Sequence, residues 1–143
     1  MAITSRRSKG QATIELALTF PLMIVVALFA YNTLAFCAEC ATFDRAFRNA
    51  VRVYAASPGY GQTASASAGL IQQSTSAALD AQSAVRVGVE ENALGFATYT
   101  GTLTYTPTIF GSPMAAGAFG VSFPTATHRT ELCVNAYKPG VIK

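Results

Sequence analysis

Hydrophobic positions along this 143-residue chain change period twice, and each change marks a boundary between elements. No charged residue interrupts the run from Leu16 to Ala38. As helix, such a run rises about 34 Å at about 1.5 Å per residue, enough to cross a hydrocarbon core of about 30 Å. The next stretch, "CAECATFDRAFRNAVRVYAASPG", keeps a period near 3.6: Cys40, Phe43, Phe47, Val51 and Tyr54 share one face, and Asp44, Arg45, Arg48 and Arg52 lie on the other. The pattern gives an amphipathic extension over residues 39–57, stopped by Pro58 and Gly59. Its apolar stripe needs a cover, and the chain's own outer domain is the expected one.

Residues 58–83 mix small and polar side chains and read as a linker with a second helix from about 64 to 81, carried by Leu70, Ile71, Ala78 and Leu79. The period then drops to two. "AVRVGVE" sets Val85, Val87 and Val89 against Arg86, Gly88 and Glu90, the mark of a strand with one buried face. "FATYTGTLTYTPT" and "THRTELCVNAY" read as two more strands, the second with Thr130, Leu132, Val134 and Ala136 on one side. Between them "PTIFGSPMAAGAFG" has the prolines and glycines of a loop, long enough to serve as a recognition surface. The fold class is therefore α+β: a long N-terminal transmembrane and amphipathic helix packed on a small antiparallel sheet within residues 84–143.

Composition agrees with an anchor plus one modest domain, since 51% of the residues are hydrophobic and only 12% charged, against about 25% charged in soluble domains. Arg6, Arg7 and Lys9 account for the whole net charge of +3. Basic residues thus precede the apolar run and mixed charges (Glu39, Asp44, Arg45) come after it, so the positive-inside rule puts the N-terminus in the cytoplasm and everything past residue 38 outside. The run is too long for the ~7–15-residue core of a secretory signal peptide. A lipoprotein cleavage site is disfavoured by Phe36 ahead of Cys37, and a twin-arginine signal by the missing apolar residues just after Arg6 and Arg7.

The chain offers little chemistry. His128 sits in a strand among threonines, Glu90 and Glu91 adjoin a turn, and no nucleophile with a base and no glycine-rich phosphate loop can be assembled. An enzyme, a cofactor and a metal site are not expected, and the scattered arginines of the outer part argue against nucleic acid. Cys37 and Cys40 have half-site spacing without a second pair. In an oxidising compartment they could close on each other, or either could join Cys133, whose strand face is opposite the expected core face; the pairing stays open.

Glu15 is the residue that demands an explanation, because a carboxylate at the edge of a membrane helix costs a few kcal/mol unless it is interfacial or paired. It is either an interfacial residue beside Lys9 or part of a larger pattern. In "RRSKGQATIEL" a short basic leader ends at Gly10, and Glu15 is the fifth residue after it. This resembles the type IV prepilin processing site. The resemblance implies that a membrane peptidase removes residues 1–10 by cutting between Gly10 and Gln11, that Glu15 helps subunits register during assembly, and that Pro21 permits a kink in the transmembrane helix, residues 11–38.

With the sheet and "GTLTYTP" late in the chain, the sequence is similar to the TadE-like minor pilins and pseudopilins of tight-adherence (Tad/Flp) pili. That likeness implies a pilin-like fold and structural work, namely priming or building a pilus and reaching the cell surface. The expected partners are the prepilin peptidase, other pilin subunits, the inner-membrane assembly platform and membrane lipid. The alternatives are an uncleaved single-pass surface binding protein and a pseudopilin of a competence or secretion system.

Overall fold

The structure, a computed structural model, describes residues 5–56, 58–93, 95–109, 112–113 and 125–135. Residues 1–4 of the expected leader, 110–111 and 114–120 of the expected loop, and Ala136 and Tyr137 of the expected last strand lie outside them. Helix α1 runs Ser5–Tyr54 and α2 runs Ala64–Ser76; the strands are β1 (Ser83–Glu91), β2 (Phe96–Tyr105), β3 (Thr108–Ile109), β4 (Ser112–Pro113) and β5 (Ala126–Asn135). The chain divides into two compact units, residues 1–35 and 36–143.

In the first unit most apolar side chains of α1 point outward: Leu22, Met23 and Ile24 are exposed, as are Ile14, Leu18, Phe20, Phe29 and Leu34, while Val25, Leu28 and Ala35 on one face are half-buried and Asn32 beside them is buried. One helix among the described residues is long and apolar enough to cross a membrane, with a mean hydropathy of 2.2. Its polar side chains turn back to the helix itself. Thr19 Oγ1 donates to the Glu15 carbonyl at 2.6 Å, Asn32 Nδ2 to the Leu28 carbonyl at 3.0 Å and Thr33 Oγ1 to the Phe29 carbonyl at 2.8 Å. Satisfying each donor one turn back is what an apolar surrounding requires.

The second unit is a helix-on-sheet layer. Its sheet has the order β1-β2-β5, all antiparallel, and a separate two-stranded ladder joins β3 to β4. Alternation decides the faces: Ala97, Tyr99, Gly101, Leu103 and Tyr105 of β2 are buried, while Thr98, Thr100, Thr102 and Thr104 face outward. Phe43 and Phe47 of α1 stack with ring centroids 5.6 Å apart and are fully buried with Val51, Ile71, Val85 and Leu103. The rings need room, which Gly101 leaves; a Cβ there would stand 2.8 Å from Phe43 and 2.9 Å from Phe47. At the β1–β2 turn Gly95 takes φ +85°, a left-handed conformation that favours glycine.

α2 packs alongside β1, and Gln72 Oε1 accepts the Val87 amide at 3.2 Å, so this helix occupies a donor of the outer strand. The Thr63 hydroxyl caps α2 by accepting from the Ala66 amide at 3.2 Å. The helix stops at Ser76, short of 81, because Ala78 and Leu79 donate three residues back, to Thr75 and Ser76, and tighten the chain into a turn. Its buried face is Ser67, Ala68, Ile71 and Thr75, whereas Leu70 is exposed and Leu79 packs on the core from the turn. Small side chains let α2 lie close, and the Ser67 hydroxyl bonds the buried Tyr99 phenol. Burial raises the Tyr99 pKa and that bond brings it part of the way back.

Candidate functional site

The residues of the expected processing site lie in one regular helix. α1 is helical from Ser5 and passes through Gly10, Gln11, Glu15 and Pro21 without a break. Gln11 and Glu15 are a turn apart and exposed, and Gln11 Nε2 donates to Glu15 Oε1 at 3.2 Å. A neutral amide, one turn away, is thus the partner this arrangement gives the carboxylate.

The three cysteines are free: Cys37 and Cys133 are exposed and Cys40 is half-buried on the core side of α1. Burial raises the Cys40 thiol, with Cys37, Asp44 and Glu39 adding to it. Cys133 is opposite Thr98 on the outward face of the sheet. A Cys40 to Cys133 bridge would have to pass through the sheet, and the Cα separation a disulfide tolerates is only about 4.4–6.8 Å.

Two clusters not foreseen as sites occupy the flanks of α1 in the second unit. Asp44, assigned by periodicity to the solvent face, is half-buried against β5, where its Oδ1 accepts Thr130 Oγ1 at 2.6 Å and meets His128 Nε2 at 3.0 Å. Phe43 meets the imidazole edge-on, with centroids 5.9 Å apart. Thr130 Oγ1 is also 3.2 Å from His128 Nε2. Both donors converge on one carboxylate oxygen, which is a clasp between helix and strand, not a relay in which an imidazole activates a hydroxyl. Parity carried the signal: His128 shares the even-numbered face of Thr130, Leu132 and Val134, and Asp44 adjoins Phe43 at the border of the helix stripe.

Burial raises the Asp44 carboxyl, but the bonds from Thr130 and His128, with Arg48 nearby, outweigh it and hold the group below the ordinary aspartate value. A depressed folded-state value adds stability above the unfolded pKa of about 3.9, and that stability is lost as pH falls through the folded value. Asp44→Asn is expected to cost about 1 kcal/mol at neutral pH and to flatten the loss of stability below about pH 4. Melting curves of both proteins between neutral pH and pH 3 check it; parallel curves would refute it. On the opposite flank Glu39 accepts Ser83 Oγ at 3.1 Å.

The back of α1 carries the second cluster, a shallow groove of about 450 Å³ lined by Ala41, Asp44, Arg45, Arg48, Asn49 and Arg52. Asp44 is turned into its clasp. Among the described residues none of the three arginines closes an ion pair. The arginines that look scattered in the sequence are therefore gathered into one cationic ridge. Comparison with protein families, with curated proteins and with solved structures finds no match to this chain.

Proposed function

We propose that the chain is a minor pilin or pseudopilin of the tight-adherence (Tad/Flp) kind: it enters the inner membrane with its N-terminus in the cytoplasm, is cut after Gly10 by a prepilin peptidase, and helps prime or build a pilus. The observation that carries this reading is the lone Glu15 in a helix most of whose apolar side chains face outward. A surface of that kind needs lipid or neighbouring subunits around it, and a carboxylate within it needs a partner from outside its own side chains. The helix-on-sheet outer unit supports a minor subunit, since it supplies far more than a bare filament helix.

The test is the N-terminus of protein isolated from its host, expected to be Gln11. Gly10→Leu is expected to insert normally and to accumulate uncut, because insertion depends on the apolar run and its flanking charges, whereas the peptidase must fit the residue before the scissile bond. Retention of Met1 or Ala2 in cells with an active prepilin peptidase, or normal processing of Gly10→Leu, would overturn the reading.

One observation favours the alternative of an uncleaved anchored binding protein. The Gly10–Gln11 bond lies inside regular helix, which a peptidase must unwind before it can cut. The same N-terminal sequencing decides between the two.

A further inference from the structure

Arg45, Arg48 and Arg52 recur at intervals of three and four residues, so at about 100° per residue they fall within about 60° of the circumference of α1 and about 10.5 Å of its length. All three are exposed, as is Asn49 beside them. The one acidic residue of the groove is Asp44, whose Oδ1 is taken by Thr130 and His128, so three unpaired guanidinium groups stand against one carboxylate that is already engaged. The case against nucleic acid in the sequence is that its arginines are scattered. The winding of α1 removes it by setting three of them in a row.

We propose that this row binds the phosphate backbone of a nucleic-acid duplex, meeting about three phosphates of one strand and no bases. A duplex presents one phosphate per about 3.4 Å of axis on each strand, so a row about 10.5 Å long runs past three of them. Arg48 and Arg52 are one turn apart and point the same way, as neighbouring phosphates of one strand require. Each guanidinium is a planar fork that matches the oxygens of a phosphate. The residues lining the groove include no aromatic side chain to stack on an unpaired base. With its inner side packed on the sheet, α1 offers a duplex only this row, and contacts to phosphate alone carry no sequence information.

Two other occupants fit less well. A lipid surface would meet the row end-on: counted along the helix, Arg52 is about 21 Å beyond Ala38, while a headgroup layer is only about 5–7 Å deep. An acidic protein would be held by exposed ion pairs alone, which contribute little, because no large apolar side chain lines the groove to form a desolvated centre. A polyanion is held differently, since each neutralised phosphate releases condensed counterions and that gain needs no apolar contact. Binding of this kind does not depend on cutting at Gly10, so its failure leaves the proposed function untouched.

Fluorescence anisotropy of a labelled DNA duplex, titrated with full-length protein in nonionic detergent at several salt concentrations, gives the slope of log K against log salt. That slope becomes shallower by about 0.9 for each phosphate no longer neutralised. Arg45→Gln/Arg48→Gln/Arg52→Gln is therefore expected to have a slope about 2.7 shallower than wild type, so that between about 50 and 200 mM salt the wild type loses about fortyfold more affinity than the variant. Arg6, Arg7 and Lys9 contribute equally in every protein and cancel in the difference. Lysine at the same three positions keeps the charges and is expected to keep the wild-type slope. Arg86→Gln/Arg129→Gln, on the outward face of the sheet on either side of Thr102, is expected to keep it as well.

A wild-type protein that binds no duplex, an unchanged slope in the glutamine variant, or a lysine variant or sheet-face control as shallow as the glutamine variant would each overturn the proposal. So would duplexes of different sequence that bind with clearly different affinities. Loss of binding to phosphatidylglycerol vesicles by the glutamine variant, with its duplex slope unchanged, would overturn it in favour of lipid. Melting curves matching wild type confirm that the variants are folded.

Discussion

Gly101→Val is expected to lower the stability of the second unit by about 3 kcal/mol or more, at the upper end of overpacking costs. A β-carbon alone at this position would stand 2.8 Å from Phe43 and 2.9 Å from Phe47, and valine adds two methyl groups to it. Neither side has room to yield. The rings are stacked and fully buried, and the strand is held on both edges, with Gly101 opposite Val87 in β1 and Thr130 in β5. Relief requires α1 to lift from the sheet, and that would also open the Asp44 clasp to Thr130 and His128.

Gly88→Ala is the control, because nothing lies within 4 Å of a β-carbon there. Its effect should be neutral or slightly stabilising, as expected where glycine has only its backbone entropy to lose. The measurement is thermal unfolding of the full chain in detergent, followed by near-ultraviolet circular dichroism. Phe47→Leu placed on top of Gly101→Val should recover part of the loss, a coupling that residues in contact show and distant residues do not. An unchanged melting curve for Gly101→Val would mean that the helix does not lie on this strand.

The parts of the fold legible in the sequence are those where one period serves one burial. Val85, Val87 and Val89 point inward together because a half-buried strand has no other way to satisfy its alternation, and the stripe of Phe43, Phe47 and Val51 finds its cover in the sheet. Legibility fails where burial is achieved by small or polar groups. The buried face of α2 contains Ser67, Ala68 and Thr75, which carry almost no hydrophobic signal, and its most apolar neighbour, Leu70, is exposed.

The clasp was hidden for a related reason. A lone aspartate beside a run of arginines reads as part of a solvated face, and only its pairing with residues more than 80 positions away shows that it faces β5. The residues of the expected processing site differ again. Gly10, Gln11 and Glu15 are legible only as a spacing, to which the structure adds the exposure of the Glu15 carboxylate among apolar side chains.

That exposure is the basis of the second large effect: if the chain is the pilin proposed above, Glu15→Ala is expected to be inserted and cut as wild type is, yet to lose copurification with the other subunits by about a hundredfold or more. Within one copy the carboxylate has the Gln11 amide at 3.2 Å, while the Thr19 hydroxyl goes to the Glu15 backbone carbonyl and leaves the side chain alone. A neutral donor does not balance a charge in hydrocarbon. Cutting after Gly10 would create an α-amine on Gln11, largely protonated at neutral pH because such amines have a pKa of about 7.7–8.0. One helix turn separates it from Glu15 of its own chain, and in an assembly the same cation can meet Glu15 of a neighbour. Only the second arrangement makes relief of the buried charge depend on register between subunits. Removing one partner of a desolvated pair costs about 3–5 kcal/mol, which corresponds to a hundredfold or more in association. Glu15→Gln separates charge from shape: it keeps a hydrogen-bonding group of the same size and should fail nearly as badly as alanine. Wild-type copurification by Glu15→Ala would instead make Glu15 an interfacial residue beside Lys9 and remove it from assembly.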